Sequence, residues 1–196
     1  MDLIDTPSLE QTGFWYTDHL LSDELNNALF QRINELFETQ QMRAALVGKN
    51  AEMRRDEKER GDFISWLNTD DTIGPVGEFL RHIRDIQQHF NRLHYLGMQN
   101  IESHFAVYPN GTFYKPHRDV HRQGSSRVVS FVHYLNPEWQ PGHGGELVIY
   151  EDSGTAHTIT PIYGRTIFFL SEMWHEVKPT ACMRRSITGW LSTSAP

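Results

Sequence analysis

The stretch RVVSFVHYLNPEWQPGHGGELVIYE, residues 127–151, places two β-rich runs, near 127–135 and 146–151, on either side of Asn136-Pro137, Pro141-Gly142 and Gly144-Gly145. β-Branched and aromatic residues fit a pleated, half-buried surface, whereas Gly and Pro supply the backbone angles of turns, so this texture reads as strand, turn, strand. The same texture extends both ways. Upstream, runs near 101–108 and 112–119 flank Asn110-Gly111; downstream, runs near 156–160, 164–170, 175–178 and 184–192 are divided by Ser-Gly, Tyr-Gly and Pro signals. Eight short strands at this spacing predict a sandwich, jelly roll or small barrel.

Ahead of Gly97 the period changes. From Asp23 to Glu38, Leu25, Ala28, Leu29, Ile33, Leu36 and Phe37 recur at three- and four-residue steps, which predicts an amphipathic helix. A second helix is predicted from Pro75 to Leu96, with Val76, Phe79, Leu80, Ile83, Ile86, Phe90 and Leu93 on one face, Pro75 in the first turn and Gly97 past the end. The fold class is therefore α+β, with the helices covering one face of the sheets. Residues 1–21 show no clear period and read as an irregular lead-in that packs Phe14, Trp15 and Tyr16. Between the helices, Met42 to Asp62 carries Arg43, Lys49, Arg54, Arg55, Lys58 and Arg60 among Glu52, Asp56, Glu57 and Glu59, flanked by short strands near 44–47 and 63–67. A long charged loop of this kind suits recognition as well as a solvated surface.

Composition narrows the function. A chain of 196 residues suits one domain, with roughly 70% of its unfolded surface buried. The 18 basic against 25 acidic residues, a formal charge of −7, argue against general nucleic-acid binding, which needs many cationic phosphate contacts. The single cysteine, Cys182, cannot form an internal disulfide, and the start MDLIDTPSLE lacks the basic and apolar runs of an export signal, so a cytoplasmic location is expected. No run is long enough to span a bilayer. Eleven histidines stand out. His82, His89 and His94 fall on or beside the second helix as polar-face or boundary residues.

Chemistry concentrates in Tyr114-Lys115-Pro116-His117-Arg118-Asp119. Alternate strand residues face the same side, so His117 and Asp119 project together, about 7 Å apart, as half of a metal site. His175, after the apolar run 166–170, would complete two histidines and a carboxylate with three positions open, the arrangement of non-haem Fe(II) oxygenases. His121 in place of His175 would stretch the three ligands over about 13 Å of strand, too far for one ion. The His-Glu-x-x-His zinc motif is absent. Downstream, Arg184 opens the last strand. An arginine pointing into a barrel needs a carboxylate, and a dicarboxylate such as 2-oxoglutarate would reach both metal and guanidinium; the competing reading is an exposed strand arginine.

The ordered pieces Arg60-Gly61-Asp62 with Trp66, Tyr108-Pro109-Asn110-Gly111-Thr112 with Tyr114, His117 and Asp119, Arg127, Tyr134-Leu135-Asn136, Gly144-Gly145, His175-Glu176-Val177 with Pro179, and Arg184, Ile187-Thr188 and Trp190 together resemble the 2-oxoglutarate- and Fe(II)-dependent prolyl hydroxylases of the type that modify the hypoxia-inducible factor, including their bacterial relatives. The resemblance covers about residues 43–193. It implies a double-stranded β-helix, a jelly roll with N-terminal supporting helices, arranged as one domain over 1–196 with 1–97 as helical and substrate-loop support and 98–193 as the core. It further implies Fe(II) on His117, Asp119 and His175; 2-oxoglutarate on Arg184, with Tyr134 as second donor and Tyr108 lining its pocket; and O₂ as cosubstrate, with ascorbate in support. Arg60 and Asp62 match a mobile loop that closes over the target proline, and Arg127 and Trp190 match residues at the substrate mouth. Tyr114 reads equally as packing or as substrate contact, and His121 and His133 are placed beside the site.

The implied activity is C4 hydroxylation of a prolyl residue in a protein by a monomer, without membrane or nucleic acid, and for bacterial relatives a translation factor, elongation factor Tu, is the implied target. Three alternatives share these residues: hydroxylation of a small molecule or free amino acid, hydroxylation of a protein residue other than proline, and a non-catalytic cupin-like metal-binding module in which Arg184 is structural.

Overall fold

The computed structural model describes residues 9, 11–46, 55–120 and 126–193. Within them the helices are α1 (Asp23–Glu38) and α2 (Gly74–His94), and the strands are β1 (Phe14–Thr17), β2 (Arg43–Ala44), β3 (Phe63–Trp66), β4 (Asn100–Tyr108), β5 (Tyr114–His117), β6 (Arg127–Tyr134), β7 (Leu147–Tyr150), β8 (Ala156–Ile159), β9 (Thr166–Leu170), β10 (Trp174–Val177) and β11 (Arg184–Ser192). A seven-stranded sheet runs β1-β9-β6-β11-β4-β3-β2 and a four-stranded sheet runs β5-β10-β7-β8, with every pairing antiparallel. This is the jelly-roll core with supporting helices that the resemblance implies, one of the three architectures the strand spacing allows.

Strand alternation divides the core into two layers. On β6 and β9, Val129, Phe131 and Phe168 face α1 and α2 and pack with Leu29, Ile33, Phe79, Ile83 and Phe90. Their neighbours Val132, Tyr134, Ile167 and Phe169 face the other way, against Leu147, Ile149 and Ile159 of the smaller sheet. Gly189 of β11 shows how tight the helix-side layer is: a Cβ there would lie 2.3 Å from Cζ of Phe131 and 2.5 Å from the Glu102 carbonyl oxygen. Only glycine lets the Phe131 ring lie across the central strand.

Each helix boundary has a local cause. Ser22 caps α1 by accepting from the Leu25 N–H, with Asp23 and Glu24 in the first turn, where the helix dipole favours negative charge. Helix α2 begins with Pro75 in its first turn and ends at His94, three residues before Gly97, with Tyr95 as its C-cap in the left-handed region (φ 53°). Asn91 explains the early stop: its side chain donates to the Met98 carbonyl at 2.7 Å and accepts from the Met98 N–H at 2.8 Å, turning the chain away from the helix axis.

Several expectations are corrected. Residues 14–17 are not irregular: they add an edge strand to β9, with Trp15 stacked on Phe168 at 5.7 Å. Four residues are too short for a periodic signal, and the pairing edge that orders them lies 150 residues away in sequence. The run expected at 112–119 is a strand only from Tyr114 to His117. The strand expected at 44–47 is seen as Arg43–Ala44; Val47, like Lys49, Glu52 and Arg54 of the charged loop and His121, lies outside the described residues. His133 does not flank the metal candidates. It shares parity with Phe131, faces α2 at 5.7 Å from the Phe79 ring, and bonds through Nδ1 to Thr166 Oγ1 at 2.8 Å.

Burial lowers the His133 pKa from 6.5 to about 3, so the folded chain keeps this imidazole neutral where the unfolded chain protonates it. Stability from this residue is complete above pH 6.5 and falls as pH drops from there toward about 3. Urea midpoints at pH 7 and pH 5 are expected to show the loss, and His133→Gln, which keeps a partner for Thr166 but does not titrate, should flatten the dependence by up to about 1.4 kcal/mol per pH unit.

Candidate active site

Three side chains from three segments converge between the sheets. Antiparallel pairing of β5 with β10 sets His117 opposite His175, with ring centroids 4.2 Å apart. Asp119 joins them from the bend after β5 rather than from the strand itself; its N–H donates to the Ser171 carbonyl at 3.0 Å. Its carboxylate oxygens lie 3.7 Å from His117 Nε2 and 3.5 Å from His175 Nε2, and the three donor atoms all fall within 4.8 Å of one another.

The surroundings aim these donors. Each imidazole donates its Nδ1–H to the backbone carbonyl two residues earlier, His117 to Lys115 at 2.8 Å and His175 to Met173 at 2.9 Å. That leaves both Nε2 lone pairs directed at the shared point, the tautomer a metal requires. Burial, then the neighbouring His175, pushes the His117 pKa down to about 3, which keeps the ring an unprotonated donor. Burial works to raise the Asp119 pKa, but the two imidazoles and the Ser130 hydroxyl hold it below the ordinary carboxylate range. Ser130 donates to Oδ2 at 2.6 Å and is itself within 2.9 Å of Ser171 Oγ. Two imidazoles and one carboxylate on a partly enclosed face form a donor set that fits a divalent iron with open positions.

A cavity of about 400 Å³ opens from this cluster. Toward its inner end Arg184 is 2% exposed, yet no carboxylate among the described residues lies within ion-pair distance of it. Its Nε donates to the Gly145 carbonyl at 2.8 Å and its Nη1 to Ser186 Oγ at 3.2 Å, while the guanidinium sits 4.9 Å from the Tyr108 ring centroid and 5.1 Å from that of Tyr134. Gly145, at φ +75°, leaves the space: a Cβ there would stand 3.0 Å from Arg184 Cδ. The Tyr134 hydroxyl is buried without a hydrogen-bond partner. A buried cation beside an unmet hydroxyl is costly to leave empty and is matched by a bound carboxylate. The next residue, Arg185, points elsewhere and donates to Asn34 Oδ1 at 2.6 Å.

At the mouth, two arginines are already paired. Arg60 makes a two-bond contact with the buried Asp62 (2.7 and 2.5 Å) and lies over the Tyr114 ring, which stacks on His117 at 3.7 Å. Arg127 contacts Glu102 at 3.0 and 3.3 Å and lies 3.6 Å over Trp190. Arg60, Arg127, Trp190, Tyr108 and Tyr114 border the cavity; Asp62 and Tyr134 are not among its lining residues and reach it through their neighbours Arg60 and Arg184. The sequence reading missed Ser130, Ser171 and His104. Strand parity carried a signal for two of them, since Ser130 shares a face with Val132 and Tyr134, and His104 with Tyr108.

Comparison with known proteins agrees with this geometry. Residues 103–192 match the model of the 2OG-Fe(II) oxygenase superfamily. Human prolyl hydroxylase EGLN3 is 31% identical over 193 residues, covering 94% of this chain and 80% of its own. The chain belongs to the 2OG-Fe(II) oxygenase superfamily. Among solved structures, a Pseudomonas putida prolyl-4-hydroxylase superposes with a TM-score of 0.87 at 32% identity over 96% of this chain and 97% of that one. A Trichoplax adhaerens prolyl hydroxylase in complex with a hypoxia-inducible-factor peptide fragment gives 0.85 at 26% identity over 96% and 87%. The oxygenase is thus a dioxygenase of prolyl 4-hydroxylase type, in a family that uses Fe(II), 2-oxoglutarate and O₂. No helix among its described residues is long and apolar enough to cross a membrane.

Ser130 backs the candidate metal ligands through its hydrogen bond to Asp119. Ser130→Ala should lower affinity for a divalent cation by about 10- to 100-fold while leaving the fold intact, as measured by equilibrium dialysis with Mn(II).

Proposed function

We propose that this oxygenase hydroxylates C4 of a prolyl residue in a protein, with Fe(II) held by His117, Asp119 and His175. The observation that carries the reading is the buried, carboxylate-free Arg184 on the same cavity as that triad. Arg184 takes the distal carboxylate of 2-oxoglutarate in a two-pronged contact, the Tyr134 hydroxyl donates to it, and Tyr108 forms the wall alongside. The iron, when bound, supplies the oxidising chemistry by which O₂ and 2-oxoglutarate yield succinate, CO₂ and one hydroxyl on the substrate.

The remaining work falls to the chain. Ser130 keeps Asp119 ionised and oriented, and the Lys115 and Met173 carbonyls hold the imidazoles in the binding tautomer. Arg60 with Asp62, and Arg127 with Trp190, receive the peptide at the mouth; both cations are neutralised in place, so the groups that meet the substrate are already oriented. Enclosure by Trp190, Tyr114 and Phe169 keeps water from competing at the reacting centre. The protein substrate we assign is elongation factor Tu, a choice that rests on the resemblance to bacterial prolyl hydroxylases.

Incubation of the enzyme with Fe(II), 2-oxoglutarate and a bacterial lysate, followed by mass spectrometry, is expected to show a one-oxygen gain on prolyl residues that His117→Ala abolishes. A gain that survives His117→Ala, or that falls on residues other than proline, overturns the assignment. Purified elongation factor Tu in the same assay decides the substrate. Arg184→Ala should raise KM for 2-oxoglutarate roughly 30- to 100-fold, as expected for losing a charged, two-bond contact.

A further inference from the structure

His104 has no role in the site as assigned above. It stands on β4 beside Trp66 of β3 and Thr188 of β11, and its ring lies 4.9 Å from that of Trp66 and 5.5 Å from that of Trp190. It is 3% exposed and borders the cavity that holds the triad, yet its Nδ1 is buried with no hydrogen-bond partner. His133, equally buried on the opposite face of the same sheet, has Nδ1 bonded to a threonine hydroxyl and only Nε2 unmet, and it is not among the residues that line the triad's cavity. An unmet polar atom in a folded core costs stability, and beside a cavity it marks a place where a ligand completes the bonding.

The chemistry of the position restricts the ligand. Burial, aided by Arg60 and Arg127 and opposed by Asp62 and Asp119, lowers the imidazole pKa to about 4, so the ring is neutral and offers one N–H and one lone pair. The two flanking indoles present apolar faces. A proline residue brings a complementary set of groups: an apolar ring, no backbone N–H, and carbonyl oxygens on either side of the ring. The geometry points to His104 as a peptide-binding residue that hydrogen-bonds the substrate main chain beside the target proline, next to the packed Trp66–Trp190 ring pair, whose centroids are 6.2 Å apart. This inference rests on the prolyl hydroxylase reading above and names a specificity residue for it.

The test uses the iron-loaded full chain and a pool of acetylated, amidated heptapeptides with a central proline and randomised flanks. His104→Leu removes the ring nitrogens at similar volume, and His104→Gln keeps an N–H donor. His104→Leu is expected to raise the peptide KM about tenfold with KM for 2-oxoglutarate unchanged, and with a thermal midpoint at or above the parental value because an unmet nitrogen is removed. His104→Gln should recover most of the loss. A His104→Leu enzyme that hydroxylates the pool as the parent does overturns the inference, as does a variant whose KM for 2-oxoglutarate rises in parallel with that for peptide. A parental enzyme that hydroxylates no peptide in the pool defeats the prolyl reading itself, and this inference falls with it.

Discussion

The pairing of β5 with β10 places His117 across from His175, and side chains on a strand alternate between faces, so a slip of one residue would turn one imidazole out of the barrel. The rest of the site is built to hold that register. The Lys115 and Met173 carbonyls fix both rings, Tyr114 covers the His117 ring, Phe169 meets the His175 ring edge-on at 4.7 Å, and the Ser171 carbonyl draws the chain after β5 inward so that Asp119 can reach the shared point. Metal affinity in such an arrangement depends on hydrogen bonds one layer behind the donors as much as on the donors themselves.

The barrel interior is polar to a degree that a core tolerates only when its charges are met. Asp62 is met by Arg60 and Glu102 by Arg127, each through a pair of hydrogen bonds. Arg184 is the exception, held by a backbone carbonyl and a serine hydroxyl and left with the rest of its guanidinium facing the cavity. The contrast between satisfied and unsatisfied cations separates groups that shape the mouth from the group suited to capture an anion.

What the sequence revealed follows from where each signal resides. The runs that became β4, β6, β9 and β11 were legible because their alternation and flanking turns are local, and both helices were legible from their apolar period. The joining of His117, Asp119 and His175 was legible from chemistry, through the residue types and open positions of a known metal geometry. Three features were hidden because their causes lie outside the periodic signal. Strand β1 exists only because β9 offers an edge; the stop of α2 depends on Asn91 reaching forward to Met98; and the face taken by His133 follows from counting parity across β6. His104 escaped notice for a related reason, since a histidine within an apolar strand looks like core until its neighbours Trp66 and Trp190 are in place.

Strand β11 carries Arg184 at one end and Gly189 near the other, and each is fitted to a residue far away in the chain: Arg184 to the missing side chain of Gly145, Gly189 to the ring of Phe131. Neither half of either pair can change alone without a clash or an empty space. Change at these two positions is therefore tied to their partners, whereas an exposed residue such as Ile73, 88% exposed, has no such fitted partner among the described residues. The central strand should be the slowest clock in the molecule, and variants that alter its preferences are best sought around the mouth.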